Sequence, residues 1–153
     1  MRQETKRILV LCTGNSARSQ MAEGFLRELG GGRFEAHSAG SEAAGRVNPL
    51  AVKAMSEAGI NISAQQPKDL GVYDDQEFDL VITVCDNARQ SCPMFLGARE
   101  NVHWSLKDPA AAEGSEDERL AVFRAIRDEI RRRVEHLIET GEALNDEGEA
   151  VRL

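Results

Sequence analysis

A chain of 153 residues, 41% hydrophobic and 29% charged, is long enough for one globular domain with its own core, without a metal or disulfide framework to hold it. Its formal charge of −7, with no basic stripe, disfavours nucleic acid and anionic membranes as partners, so an anionic substrate would need a local site to attract it. There is no apolar run near the ~18 residues of a membrane span, and residues 1–7 enter a strand without the apolar core of a secretory signal, so a cytoplasmic protein is expected.

Ile8, Leu9, Val10 and Leu11 form a short branched run that reads as a buried strand of a parallel sheet. After a loop over 12–18, Met21, Ala22, Phe25, Leu26 and Leu29 recur at helical spacing, and Gly30, Gly31 and Gly32 stop that helix. Residues 34–38 fit a second strand. Asn48 has the chemistry of an N-cap, with Pro49 in the first helical position. Leu50, Ala51, Ala54, Met55 and Ala58 give that helix one apolar face, and Gly59 is placed to end it. Residues 78–84 carry a second buried-strand pattern, and 101–105 a weaker one. Ser115 and Glu118 match a capping box ahead of a long helix with Leu120, Phe123, Ile126, Ile130, Val134 and Leu137 on one face. Residues 141–153 are acidic, small and poorly periodic, which predicts a frayed tail behind a single catalytic domain over 1–140. The alternation of strands and helices predicts a doubly wound α/β sheet. Such sheets bind ligands at the carboxyl ends of their strands, and Cys12 and Cys85 each directly follow one.

Three cysteines are an odd number, which argues against a structural disulfide framework and turns attention to redox or nucleophilic chemistry. The run Cys12-Thr13-Gly14-Asn15-Ser16-Ala17-Arg18-Ser19 joins a buried strand to a helix. A loop wrapped there aims successive backbone N–H groups into one concavity, and the helix N-terminus adds partial positive charge. Gly14 supplies permissive dihedrals, Asn15 tolerates left-handed angles, and Arg18 offers a planar fork for two oxygens. Such surroundings favour Cys12 as a thiolate, to which the Ser19 hydroxyl could donate. The plainer alternative, a buried strand-end cysteine beside a capping serine, does not account for the whole strand, C-x5-R-S and helix context.

Cys85 and Cys92 are separated by six residues, too wide for a tight zinc knuckle and not a C-x-x-C pair. A segment of that length can bring its ends together at modest loop-closure cost. Taken alone, Cys85 reads as a small buried hydrophobe and Cys92 as a loop cysteine. Asp108-Pro109 taken alone is a common turn, although a carboxylic acid there could assist departure of a leaving oxygen. His37, His103 and His136 are scattered without metal-ligand spacing, and no metal site is predicted.

The stretch VLCTGNSARSQMAE at 10–23 closely resembles the low-molecular-weight tyrosine phosphatase fold and, more narrowly, the arsenate reductases built on that fold. The resemblance runs on through 37–40, Asn48-Pro49, 85–93, 104–109 and the last helix, nearly the whole chain except the tail. It implies a three-layer α/β/α architecture with a central, mainly parallel four-stranded sheet. It also implies a relay in which Cys12 forms an adduct with arsenate, Cys85 attacks Cys12, Cys92 takes over the disulfide, and external thioredoxin reopens it. Thr13, Gly14, Asn15, Ser16, Ala17, Arg18 and Ser19 would cradle the oxyanion, with phosphate or sulfate competing, and Asp108 would act as general acid. No tightly bound cofactor is expected. Glu23, Ser38, Asn15 and Asp69 resemble positions that hold potassium in some relatives, without a metal being assigned here. Phosphotyrosine phosphatases of this fold carry aromatic residues after the Asp-Pro, whereas Pro109 is followed here by Ala110, Ala111 and Ala112, which argues for a small inorganic oxyanion. A phosphatase and a non-catalytic oxyanion or redox sensor remain the competing readings. Glutaredoxin with glutathione stays open as the reductant, and monomer is the default state.

Overall fold

The computed structural model describes residues 5–84 and 95–153. The apolar run at 8–11 forms the centre of strand β1 (Lys6–Cys12), with Ile8, Leu9, Val10 and Leu11 fully buried. A strand buried on both faces must also be paired on both edges, because unpaired backbone groups cannot reach water. Strand β2 (Phe34–Gly40) covers one edge and β3 (Phe78–Thr83) the other, with β4 (Ala98–His103) beyond β3. All three pairings are parallel, and the order is β2-β1-β3-β4. The chain leaves β1 first to one side and later to the other. The carboxyl end of β1 is therefore the topological switch point, where parallel sheets open a crevice. Cys12 is the last residue of β1 and stands at that crevice.

The helices follow the local signals closely. Helix α1 (Arg18–Gly30) ends on Gly31 in the left-handed conformation at φ 54°. Helix α2 (Pro49–Glu57) begins with Asn48, whose side chain accepts from the Leu50 N–H at 2.9 Å. Helix α3 (Glu116–Thr140) opens with the expected Ser115–Glu118 capping box and stops at Gly141, φ 74°. The three helices share one core with one sheet face, through Met21 and Phe25, Ala51 and Met55, and Phe123, Ile130 and Val134. The opposite face, built on Leu9, Leu11 and Val81, is covered by Tyr73 from a 3-10 turn (Leu70–Tyr73) and by Phe95.

Two segments differ from the sequence reading. Strand β4 spans Ala98–His103 and not 101–105, because its Arg99, Glu100 and Asn101 are exposed on a sheet edge and leave no apolar run to read. The expected frayed tail is instead an antiparallel hairpin of β5 (Glu142–Leu144) and β6 (Ala150–Arg152). Its Ala143 is 1% exposed within the main core, and the Leu153 N–H closes back on the Gly141 carbonyl at 2.9 Å. One small buried residue is invisible to hydrophobic periodicity, yet it ties the hairpin to α3. Among the described residues no helix is long and apolar enough to cross a membrane.

Candidate active site

The loop after β1 has its carbonyls turned outward. Those of Cys12, Thr13, Gly14 and Ser16 accept from the N–H groups of Ser41, Glu42, Ala44 and Asn48 at 3.3, 2.9, 2.8 and 2.8 Å. The Asn15 carbonyl accepts from Gln20 Nε2 at 3.0 Å, and that of Ala17 from the Met21 N–H at 2.9 Å. In a planar trans peptide the N–H points opposite the preceding C=O, so fixing the carbonyls outside turns the amides inward. The Asn15 N–H points at Cys12 Sγ, 3.0 Å away. Among the described residues nothing accepts from the amides of Gly14, Ser16 or Ala17. Helix α1 starts at the same spot with Ala17 as N-cap, no side-chain cap and no acidic residue in its first turn. Its end therefore keeps free donors and partial positive charge for an anion.

The proton positions around Cys12 can be worked out from obligatory donors. The Lys68 backbone N–H donates to Asn15 Oδ1 at 2.9 Å, and a backbone N–H can only donate, so the atom facing it is the amide oxygen. Asn15 Nδ2 then faces Ser19 Oγ at 2.8 Å and donates to it. The one Ser19 proton is left for Cys12 Sγ, 2.9 Å away. Cys12 sulfur thus accepts from both the Asn15 N–H and the Ser19 hydroxyl, an arrangement that stabilises a thiolate. Gln20 completes the clamp: its Nε2 reaches Asn15 O, Asn15 Oδ1 and Gln66 O, and its Oε1 accepts from Gln65 Nε2 at 2.7 Å. Asn15, Ser19 and Gln20 are fully buried, and Asn15 is the one non-glycine residue among those described with positive φ, 50°. Asn15, Ser19 and Gln20 satisfy one another and so hold one loop shape, while the buried Oε1 of the neighbouring Gln65 has no partner among the described residues.

Arg18 and Asp108 meet across the crevice. The Arg18 side chain is 11% exposed, and its Nη2 lies 4.0 Å from Asp108 Oδ2. Its Nη1 donates to the Leu106 carbonyl at 2.8 Å, which sets the guanidinium plane. Asp108 is half-exposed and caps the 3-10 turn Pro109–Ala111, with Oδ1 accepting from the Ala110 N–H at 3.0 Å. The second carboxyl oxygen is thereby left facing Arg18.

Glu23, Ser38 and Asn15, three of the four residues that resemble a potassium site, already bond to other protein groups. Glu23 Oε1 accepts from Ser38 Oγ at 2.7 Å and lies 3.7 Å from Lys68 Nζ, while Oε2 faces Arg27 at 3.4 Å. Asn15 Oδ1 is taken by Gln20 and Lys68. The charge of Glu23 already faces two cations.

The structure brings Cys12, Asn15, Arg18, Ser19 and Asp108 to one crevice, whereas Cys85 and Cys92 lie outside the described residues. Val84, immediately before Cys85, donates its N–H to the Leu11 carbonyl at 2.9 Å, so the chain leaves β3 beside the end of β1. Gln20, Gly40, Lys68 and Leu106 were given no role by the sequence. Each acts through a backbone group or a contact distant along the chain, for which no local pattern exists.

The chain matches the family described as low molecular weight phosphotyrosine protein phosphatase over residues 7–150. It is 50% identical over 136 residues to an arsenate reductase of Halalkalibacterium halodurans, covering 89% of this chain and 97% of that protein. It is 46% identical over 138 residues to an arsenate reductase of Bacillus subtilis, covering 90% and 99%. Among solved structures, one described as an arsenate reductase in the phosphate binding state superposes with a TM-score of 0.72 at 35% identity, covering 88% of this chain and 98% of that one. A thioredoxin-dependent arsenate reductase of Corynebacterium glutamicum superposes with a TM-score of 0.67 at 30% identity, covering 92% of this chain and 63% of that one.

Proposed function

The chain belongs to the low molecular weight phosphotyrosine protein phosphatase family, beside the members named arsenate reductases, and on that footing we propose that it reduces arsenate to arsenite at Cys12. The observation that carries the reading is the sulfur of Cys12, which accepts from Asn15 N–H and Ser19 Oγ inside a ring of inward amides. Arsenate is a tetrahedral oxyanion of the shape such a ring holds, and a structural neighbour is described as binding phosphate.

The Cys12 thiolate attacks arsenic and forms an S–As bond while one oxygen leaves. Asp108 gives that oxygen a proton, and Arg18 with the loop amides holds the remaining oxygens. The Cys85 thiolate then attacks the Cys12 sulfur. The S–S bond forms, the S–As bond breaks, and its electron pair leaves with arsenic, which falls from the +5 to the +3 state as arsenite. The Cys92 thiolate attacks the Cys85 sulfur and releases Cys12 as thiolate. A dithiol reductant of the thioredoxin type opens the Cys85–Cys92 disulfide and is itself oxidised. The thioredoxin dependence of the Corynebacterium relative supports that reductant. Each exchange needs the attacking thiolate in line with its target sulfur.

A phosphatase activity on the same Cys12, Arg18 and Asp108 is the second reading, favoured by the family description. The run Ala110, Ala111 and Ala112 after Pro109 provides no aromatic wall for a phosphotyrosine ring. The test follows NADPH oxidation on adding arsenate with thioredoxin and thioredoxin reductase, beside Cys12→Ser, Cys85→Ser and Cys92→Ser. Sustained turnover in the parent, lost in all three variants, is the expected result. Turnover that survives Cys85→Ser or Cys92→Ser would overturn the relay. Phosphate-ester hydrolysis without arsenate turnover would move the phosphatase reading to the front.

A further inference from the structure

The C-terminal hairpin is bonded to the segment that carries the general acid. Asp146, in the turn between β5 and β6, accepts the Ser105 N–H on Oδ2 at 2.8 Å and faces Arg133 Nη1 of α3 on Oδ1 at 3.1 Å. One residue before Ser105 and two before Asp146, Trp104 Nε1 donates to the Leu144 carbonyl at 2.9 Å. Trp104 is fully buried, its own N–H donates to the Thr83 carbonyl at 2.8 Å, and the Arg133 guanidinium lies 5.8 Å from its ring centre. The next residues are Leu106, whose carbonyl holds Arg18 Nη1, and Asp108, whose carboxyl faces Arg18 Nη2. Two of the anchors on this connection, at Trp104 and Ser105, come from residues 144–146, and no catalytic role depends on those residues otherwise.

We propose that Asp146 is a positioning residue for the oxyanion site: by holding Ser105 against α3 it fixes the 104–108 segment, and through the Leu106 carbonyl and Asp108 it sets the aim of Arg18. The proposal rests on the reading of the crevice as an oxyanion site. The physical argument is one of leverage. A five-residue connection that lies outside helix and strand takes its shape from its anchors, and a displacement near 1 Å at a reacting group can reduce the rate by about 100-fold. Asp146 is an effective anchor because one carboxylate joins the connection to the 25-residue helix α3 through Arg133.

The experiment compares the parent with Asp146→Ala and Asp146→Asn by two readouts. The first is protection of Cys12 from iodoacetamide by inorganic phosphate, followed on the Cys12 peptide by mass spectrometry, which requires anion binding and no turnover. The second is arsenate-dependent kcat and KM, measured also in Asp108→Asn and in the Asp108→Asn, Asp146→Ala double variant. For Asp146→Ala the expected result is phosphate protection weakened roughly 3- to 10-fold, kcat lowered roughly 10-fold and a melting temperature within a few degrees of the parent. Asp146→Asn, which keeps an acceptor for Ser105 and loses the charge facing Arg133, should show a smaller loss of the same kind. In the double variant the kcat loss should shrink, because part of the effect of Asp146 passes through Asp108. Unchanged protection and kcat in both variants would overturn the proposal, as would additive losses in the double variant, which a merely structural role would give. Failure of arsenate turnover in the parent would instead count against the reductase reading, and the phosphate readout would still test Asp146.

Discussion

Gly40 is the position where a single methyl group should separate stability from chemistry. It is the last residue of β2 and pairs with Cys12, and a Cβ built there would lie 2.4 Å from the Thr13 carbonyl oxygen, 3.0 Å from the Asn15 nitrogen and 3.1 Å from Asn15 Cβ. The first two neighbours are backbone, so no side-chain rotation relieves the contact. Restoring ordinary van der Waals distance to Thr13 requires a backbone shift of about 1.0–1.6 Å in the loop whose Asn15 N–H touches the Cys12 sulfur. Overpacking of this kind destabilises by about 1–3 kcal/mol, or roughly 2–12 °C in melting temperature for a chain of this size. The same shift should lower kcat/KM for arsenate by roughly 10- to 100-fold. Gly24→Ala is the control: its Cβ would meet Ile62 Cγ2 at 2.7 Å and Met55 Cε at 3.2 Å, both ends of side chains in the core away from Cys12. That variant should melt lower than the parent while keeping kcat/KM within about twofold. The assays are thermal unfolding and coupled NADPH oxidation on all three proteins. A Gly40→Ala protein with parental kcat/KM, or equal activity losses in the two variants, would refute the argument that the loop is held in shape by its approach to β2.

Asn15→Asp replaces the amide that donates to Ser19 Oγ with an acceptor, so the Ser19 proton should turn from Cys12 to the new carboxylate. Loss of one donor to the nucleophile is expected to lower kcat by about 10²-fold, read in the arsenate assay, while Asn15→Asp remains folded by circular dichroism. Tyr73 is the sole tyrosine, and its phenol is pushed up to about 12 by burial first and by the Glu23 carboxylate second. Its neutral form is therefore favoured in the folded protein. That contribution to stability is complete below the ordinary tyrosine value of about 10 and is lost as pH rises through about 12. Tyrosinate absorbance at alkaline pH should show a midpoint near 12 in the folded protein and near 10 in denaturant, and equal midpoints would contradict the burial.

The sequence by itself determined the local elements. The branched run at 8–11 became β1, Asn48-Pro49 and the Ser115–Glu118 box became helix starts, and Gly31 became a left-handed stop. These signals are legible because their causes lie within a turn or two of chain: periodic burial, capping donors and permissive φ. The strand–loop–helix context also pointed to the oxyanion loop, since inward amides and an uncapped helix end follow from local geometry. What the tertiary structure decided is how that loop is held. The Lys68 N–H reaches Asn15 across 53 positions, Leu106 reaches Arg18 across 88, and Gly40 leaves room for Thr13 from a neighbouring strand. The sheet edge hid β4 behind charged residues, and residues 141–153 read as a loose tail because their order comes from Ala143, the Leu144 carbonyl and Asp146 meeting partners on other elements. A backbone donor carries no residue identity, and a contact that exists only after the sheet is assembled leaves no period along the chain.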